Sequence, residues 1–253
     1  KKSKIERQNV TFGYADRFDE KYDLVRSVRK GKFKYIRNYQ PFNVDGLYNF
    51  YRYKMLAYKE WYNLFQNGKL NEVQSQFFKP RTPEALYNIE EDPHETKNLA
   101  NDDNYNETLT GLRNELNNHL ISINDLSFLP EPHLLQNGLD NIVDYSEKNK
   151  DLIKSLIEIS DLMLYDYNEV SFQIKDALNN DNPWVRYWGL IVSSTFGDQA
   201  LENNEKINFI FENDSENLVR MRAAEFMLLN NIEISDSKIN SLLVRSNFEA
   251  EAN

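Results

Sequence analysis

The sequence predicts an α+β chain in two modules: a small antiparallel sheet with packed helices over residues 1–130, then an all-α repeat domain over residues 131–253. Three observations carry that expectation. β-prone runs meet at a glycine near the start, amphipathic helical spacing takes over later, and the charge changes sign along the chain. Residues 1–128 hold 20 Lys+Arg against 18 Asp+Glu, and residues 129–253 hold 10 against 22. A slightly basic front is therefore joined to a strongly acidic back, which suggests two modules with different jobs.

In the front module, Leu24-Val25-Arg26-Ser27-Val28-Arg29 and Phe33-Lys34-Tyr35-Ile36-Arg37-Asn38-Tyr39 flank a break ending in Gly31. That pattern predicts a hairpin through Lys30-Gly31 with a type I′ turn, which needs positive φ at both central residues. Phe33, Tyr35 and Tyr39 fall on one face of the second strand. Apolar spacing from Tyr51 to Phe65 predicts a helix ended by Asn67-Gly68, and a shorter helix follows through Leu70 to Phe78. Glu84–Ile89 reads as a strand and Asp92-Pro93 as a turn. Leu109, Leu112, Leu116 and Leu120 share one side of a helix over Asp103–Leu120. Pro130 and Pro132 mark the expected linker.

The back module reads as helical throughout, with apolar-periodic runs at Ile142–Tyr145, Leu152–Tyr165, Val170–Leu178, Trp184–Phe196, Ile207–Phe211, Val219–Leu229 and Ile239–Val244. Two segments repeat a pattern: Asp181-Asn-Pro183-Trp-Val185-Arg186 and Asp214-Ser-Glu-Asn-Leu-Val219-Arg220. In each, the Asp is expected to cap the following helix, the Val to point inward and the Arg outward. The two Arg are 34 residues apart, a spacing of helical-hairpin repeats. These segments resemble HEAT-type repeats, whose units bury their apolar faces only by stacking.

The run Glu84-Ala-Leu86-Tyr87-Asn88-Ile89-Glu90-Glu91-Asp92-Pro93-His94-Glu95-Thr96-Lys97-Asn98-Leu99-Ala100 resembles the C-terminal signature of the type I sulfatases, with Asn88 where Asp is more usual. Asp16-Arg17-Phe18-Asp19-Glu20, Tyr22 through Tyr39, and Trp61 through Phe78 are similar to the same family, in family order, within its heparan N-sulfatase-like subgroup. The resemblance covers about residues 10–130. It implies the C-terminal subdomain of an alkaline phosphatase-like fold, in a periplasmic or secreted enzyme that removes sulfate from a sulfated carbohydrate. The catalytic formylglycine and a calcium ion are then expected in a separate N-terminal domain, the first partner of this piece. This chain has no Cys and no Ser-x-Pro-Ser-Arg, and Asp102-Asp103 runs into Asn104-Tyr105 instead of the family's Pro-Asn. It is therefore read as a fragment from the C-terminal part of a longer protein, opening on Lys1 and not on Met, with no catalytic residue, cofactor or metal site of its own.

The resemblance also implies that the loop into the hairpin faces the substrate. Arg17, Asp19 and Glu20 are the candidates to touch a sugar, Arg17 foremost because a guanidinium holds sulfate or carboxylate bidentately. The bland alternative is a surface turn with internal salt bridges. Arg26, Arg29, Lys30, Lys32, Lys34 and Arg37 are either a steering row for an anionic polysaccharide or the solvated face of a strand pair. The aromatics from Tyr48 to Phe65 either stack on sugars or pack between sheet and helix. His94, His119 and His133 lack metal-ligand spacing. A net charge of −10 argues against nucleic acid as a partner, and no apolar run is long enough for a membrane span. The acidic repeats serve either as a prop or as a surface for a protein partner. A non-catalytic interaction scaffold that keeps a sulfatase-like tail is the alternative reading of the whole.

Overall fold

The computed structural model describes residues 9–18, 21–47 and 49–244. It is α+β and divides into two compact units, the first ending at His119 and the second beginning at Leu120.

The first unit is built on a four-stranded antiparallel sheet in sequential order: β1 (Val10–Phe18), β2 (Lys21–Lys30), β3 (Phe33–Asn38) and β4 (Glu84–Asn88). The predicted hairpin is β2–β3, but Lys30 pairs with Phe33, so its turn residues are Gly31 and Lys32. Only Gly31 has positive φ, at 59°, which is the pattern of a type II′ turn and not type I′. Between Ala15 and Arg17 the β1–β2 register shifts. β2 carries the extra residue there, and Leu24 takes φ 53°. This bulge buries the consecutive residues Asp23 and Leu24 together.

Val28, Tyr35 and Leu86 face one another across three strands and are fully buried. Helix α4 (Asn106–Ser122) covers this face. Arg113 Nη2 donates to Glu84 at 2.6 Å, Lys30 reaches Glu115, and the His119 ring stacks on Phe12 at 3.7 Å. Leu109, Leu112 and Leu116 line its buried side, as the 3–4 spacing predicts.

The expected helix from Tyr51 to Phe65 is broken at Lys54-Met55 into α1 (Phe50–Tyr53) and α2 (Leu56–Gln66). The next is α3 (Glu72–Ser75), opened by a reciprocal Asn71–Gln74 capping box and followed by a 3-10 turn to Phe78. The aromatics here pack on each other: Trp61 stacks on Phe77 at 4.6 Å and Phe65 on Phe78 at 4.8 Å. Phe50, Tyr51, Met55 and Leu56 stay exposed.

The second unit consists of α5 (Glu131–Asn137), α6 (Ile142–Lys148), α7 (Lys150–Ser160), α8 (Tyr167–Leu178), α9 (Pro183–Phe196), α10 (Asn204–Asn213), α11 (Asn217–Leu229) and α12 (Asp236–Val244). Pro130 and Pro132 stand at the start of α5, where a proline costs no helical hydrogen bond. α9 is buried almost all round, as its uniformly apolar sequence demands. A Cβ on Gly189 would lie 3.1 Å from that of Ala177, so glycine is what allows α8 and α9 to approach. Trp188, fully buried, donates its indole N–H to Phe128 O at 2.8 Å.

Within the recurring segments Val185 and Val219 point inward as expected, but Arg220 is buried too and Arg186 is largely enclosed. Neither recurring Asp is the cap. Asn182 caps α9, and Asp214 precedes the Glu216 cap of α11 and accepts both Nε (2.7 Å) and Nη2 (2.8 Å) of Arg186. The charge is turned inward because a carboxylate from the next hairpin is there to meet it.

Candidate functional site

Past Val25, β3 no longer pairs with β2, and β1 and β2 run on as a two-stranded arm. Arg17 sits on this arm opposite Tyr22, with its side chain exposed. Asp19 and Glu20, which follow β1 in sequence, lie outside the described residues. At the root of the arm, Arg26 Nη1 donates to Asp16 at 2.6 Å and the Arg26 guanidinium lies 6.0 Å from the centroid of the Tyr14 ring.

The bulge aims Asp23 away from the strand and into a polar network that the sequence reading missed. Arg81 grips both Asp23 oxygens, the Nη1–Oδ2 bond being 2.8 Å, and donates to Gln40 O at 3.2 Å. Asn43 adds a bond to Asp23 Oδ1 at 2.9 Å. Asp45 lies 3.6 Å from Arg81, yet burial still lifts its carboxyl above the usual range. Two signals were available: a lone Asp inside a β-prone run, and an Arg held between Pro80 and Pro83.

Beside this network a cavity of about 480 Å³ opens on the second face of the sheet. Val25, Ile36 and Ala85 line it together with Arg81, Glu95 and Asn98. Every polar residue of the Asp92–Ala100 motif that borders it makes a structural bond. Asn98 Oδ1 accepts the backbone N–H of Leu86 at 2.9 Å and of Ala100 at 3.0 Å, and its Nδ2 donates to Glu84 O at 3.2 Å. Asp92 accepts Lys97 N at 2.8 Å and the Thr96 hydroxyl at 3.1 Å. The Lys97 N–H foremost holds the Asp92 carboxyl below its ordinary value. Glu95, at φ 53°, pairs with Lys34 at 2.7 Å. This signature stitches a loop onto β4.

The basic row is split: Arg29, Lys30 and Lys32 are exposed to solvent, while Arg26, Lys34 and Arg37 are partly or wholly enclosed. Arg26 and Arg37 are buried, Arg37 donating to Pro83 O at 2.8 Å beneath the Tyr39 ring. Lys30, Lys32 and Lys34 face Glu115, Glu91 and Glu95. Only a strand's other packed elements could have revealed this, because α4 and residues 91–100 supply the acids.

Among the described residues no three His, Asp or Glu side chains converge to hold a metal, and no helix is long and apolar enough to cross a membrane. The chain has no Cys and no Ser-x-Pro-Ser-Arg, so it lacks the residue pattern from which a formylglycine is made. His133, bonded through Nε2 to the Tyr145 hydroxyl at 2.7 Å, has its pKa lowered by burial and stands apart from any nucleophile.

The ulvan-active sulfatase of Formosa agariphila is 44% identical to this chain over 122 residues, 48% of this chain and 20% of that protein. Half of this chain is thus homologous to a segment of a sulfatase, and the match spans about a fifth of that relative's length. No protein-family model matches the chain.

Proposed function

We propose that residues 1–130 are the C-terminal subdomain of a formylglycine-dependent sulfatase of the heparan N-sulfatase-like subgroup, with a HEAT-like domain over residues 131–253 attached to it. The parent enzyme hydrolyses sulfate from a sulfated carbohydrate in the periplasm or outside the cell. Formylglycine and calcium belong to its N-terminal catalytic domain, and formylglycine there supplies the nucleophile. This piece completes the wall of the substrate pocket through the β1–β2 arm. The observation that carries the proposal is the 44% identity to a sulfatase. The relative is named for activity on ulvan, which makes that polymer the first substrate to try. The exposed position of Arg17 near the end of β1 supports its role, since a guanidinium meets sulfate or carboxylate in two parallel bonds.

The test joins this chain to its upstream coding sequence. The full-length protein is expected to release sulfate from ulvan while the 253-residue chain does not exceed a no-protein control. Arg17→Ala in the full-length enzyme is expected to lower kcat/KM roughly tenfold, as for loss of one charge-assisted contact. Sulfate release by the chain alone ends the proposal, and an unchanged kcat/KM removes Arg17 from the pocket.

A further inference from the structure

The aromatic stretch of the first unit falls into two groups. Tyr58, Trp61, Tyr62 and Phe65 pack on Phe77 and Phe78. Phe50 and Tyr51 face water with Met55 and Leu56, all four more than half exposed and Tyr51 83% exposed. The segment that holds them out is pinned. Asn49 Oδ1 accepts the N–H of Tyr51 at 2.9 Å and of Arg52 at 3.1 Å. Buried Arg52 donates to Asp45 O at 2.7 Å, and the Tyr53 hydroxyl donates to Gly46 O at 2.7 Å. An anchored turn thus displays four large apolar side chains close together in sequence, and apolar surface held in water in this way marks a binding surface.

Its charge indicates what it binds. Residues 46–59 contain Arg52, Lys54 and Lys59 and no Asp or Glu. The Lys54 ammonium lies 4.2 Å from the centroid of the Phe50 ring and 5.8 Å from that of Tyr51. Lys59, one helical turn beyond Met55 and Leu56, is exposed as well. Among the described residues neither Lys54 nor Lys59 forms an ion pair, whereas Lys30, Lys32 and Lys34 on the sheet face Glu115, Glu91 and Glu95. A cation resting on two rings without a counter-ion offers one ligand an anionic contact and an apolar face side by side.

We propose that Phe50, Tyr51, Lys54 and Lys59 form a holding surface for a sulfated polysaccharide. A sulfated sugar carries both complements: the C–H face of its ring packs on an aromatic ring, and its sulfate oxygens accept from an ammonium. An amphipathic helix built for a lipid surface separates its lysines from its apolar face, but here Lys54 lies on the rings themselves. The choice of sulfate among anionic groups rests on the sulfatase reading, and the surface itself does not.

The experiment titrates the 253-residue chain by calorimetry with dextran sulfate, with unsulfated dextran and with vesicles of phosphatidylglycerol. Dextran sulfate is expected to bind, and the other two are not. Tyr51→Ala, which removes an exposed ring and no charge, is expected to weaken binding about fivefold. Lys54→Gln is expected to weaken it roughly threefold, as for one exposed ion pair. No binding of dextran sulfate, or a loss confined to the lysine variant, overturns the proposal, because charge alone then accounts for the attraction. Binding of the vesicles in place of the polymer also overturns it. Hydroxyl-radical footprinting of the full-length protein without polymer is expected to leave Tyr51, Met55 and Leu56 as reactive as in the 253-residue chain. Protection there means that the rest of that protein covers the surface, and it ends the proposal. Sulfate release from ulvan by the full-length protein tests the sulfatase reading separately. Ring-dependent binding without sulfate release therefore counts against that reading alone, and release without such binding counts against this surface alone.

Discussion

The sheet module and the helical module both enclose arginines in ion pairs, but by different rules. In the sheet module Arg81 reaches 58 residues back to Asp23 and Arg113 reaches 29 back to Glu84. Those pairs join a loop to a bulge and a helix to a strand, segments with no local relation. In the helical module Arg186 meets Asp214, 28 residues on, where one hairpin abuts the next. One set of charges joins segments with no local relation, and the other joins successive helical pairs. The difference teaches what an unmet charge means in each. A missing partner in the sheet module would leave a loop undocked. In the helical module a missing partner would leave one helical pair unjoined from the next.

The source of stability differs as well. α9 is surrounded by apolar neighbours, whereas the loops of the sheet module hang on polar stitches such as Asn98 and Asp23. The sharpest way to break that contrast is Trp188→Ala. Removing a fully buried indole and orphaning Phe128 O should cost about 4 kcal/mol, read as a fall in the denaturation midpoint and as faster amide exchange in α7, α9 and α11. A cost under about 1 kcal/mol would mean that apolar packing is not what holds the helical module.

Asp23→Ala comes next. It leaves Arg81 buried without its carboxylate and should cost about 3 kcal/mol, whereas Asp23→Leu combined with Arg81→Met should recover most of that loss. Failure of the double variant to recover would show that the pair stabilises the module outright instead of specifying where the loop docks.

The smallest effect is a pH effect at Asp92. Its folded pKa lies below the ordinary 3.8, so its contribution is present above about that pH and is lost as the pH falls through the lowered value. Asp92→Asn should therefore flatten the acid limb of a stability-versus-pH curve below pH 3.8 and leave its slope at neutral pH unchanged. An unaltered acid limb would show that the Lys97 and Thr96 bonds do not hold the loop.

The local elements were legible in the sequence because their signals are local. Gly31 announced the β2–β3 hairpin, and the leucines of α4 its buried side. The turn type was misread because pairing of Lys30 with Phe33, a cross-strand fact, moves the turn by one residue. The burial of Arg26, Arg37 and Arg220 was not legible at all, since a charged side chain faces inward only where a distant acid or carbonyl awaits it. The bulge at Leu24 and the Asp23–Arg81 pair belong to the same class. Thus the chain's own order of residues determined the elements, the two-module division of charge and the kinship with a sulfatase segment. Only the tertiary structure decided which charges are buried and what they hold, because electrostatic partners are chosen across space and not along the chain.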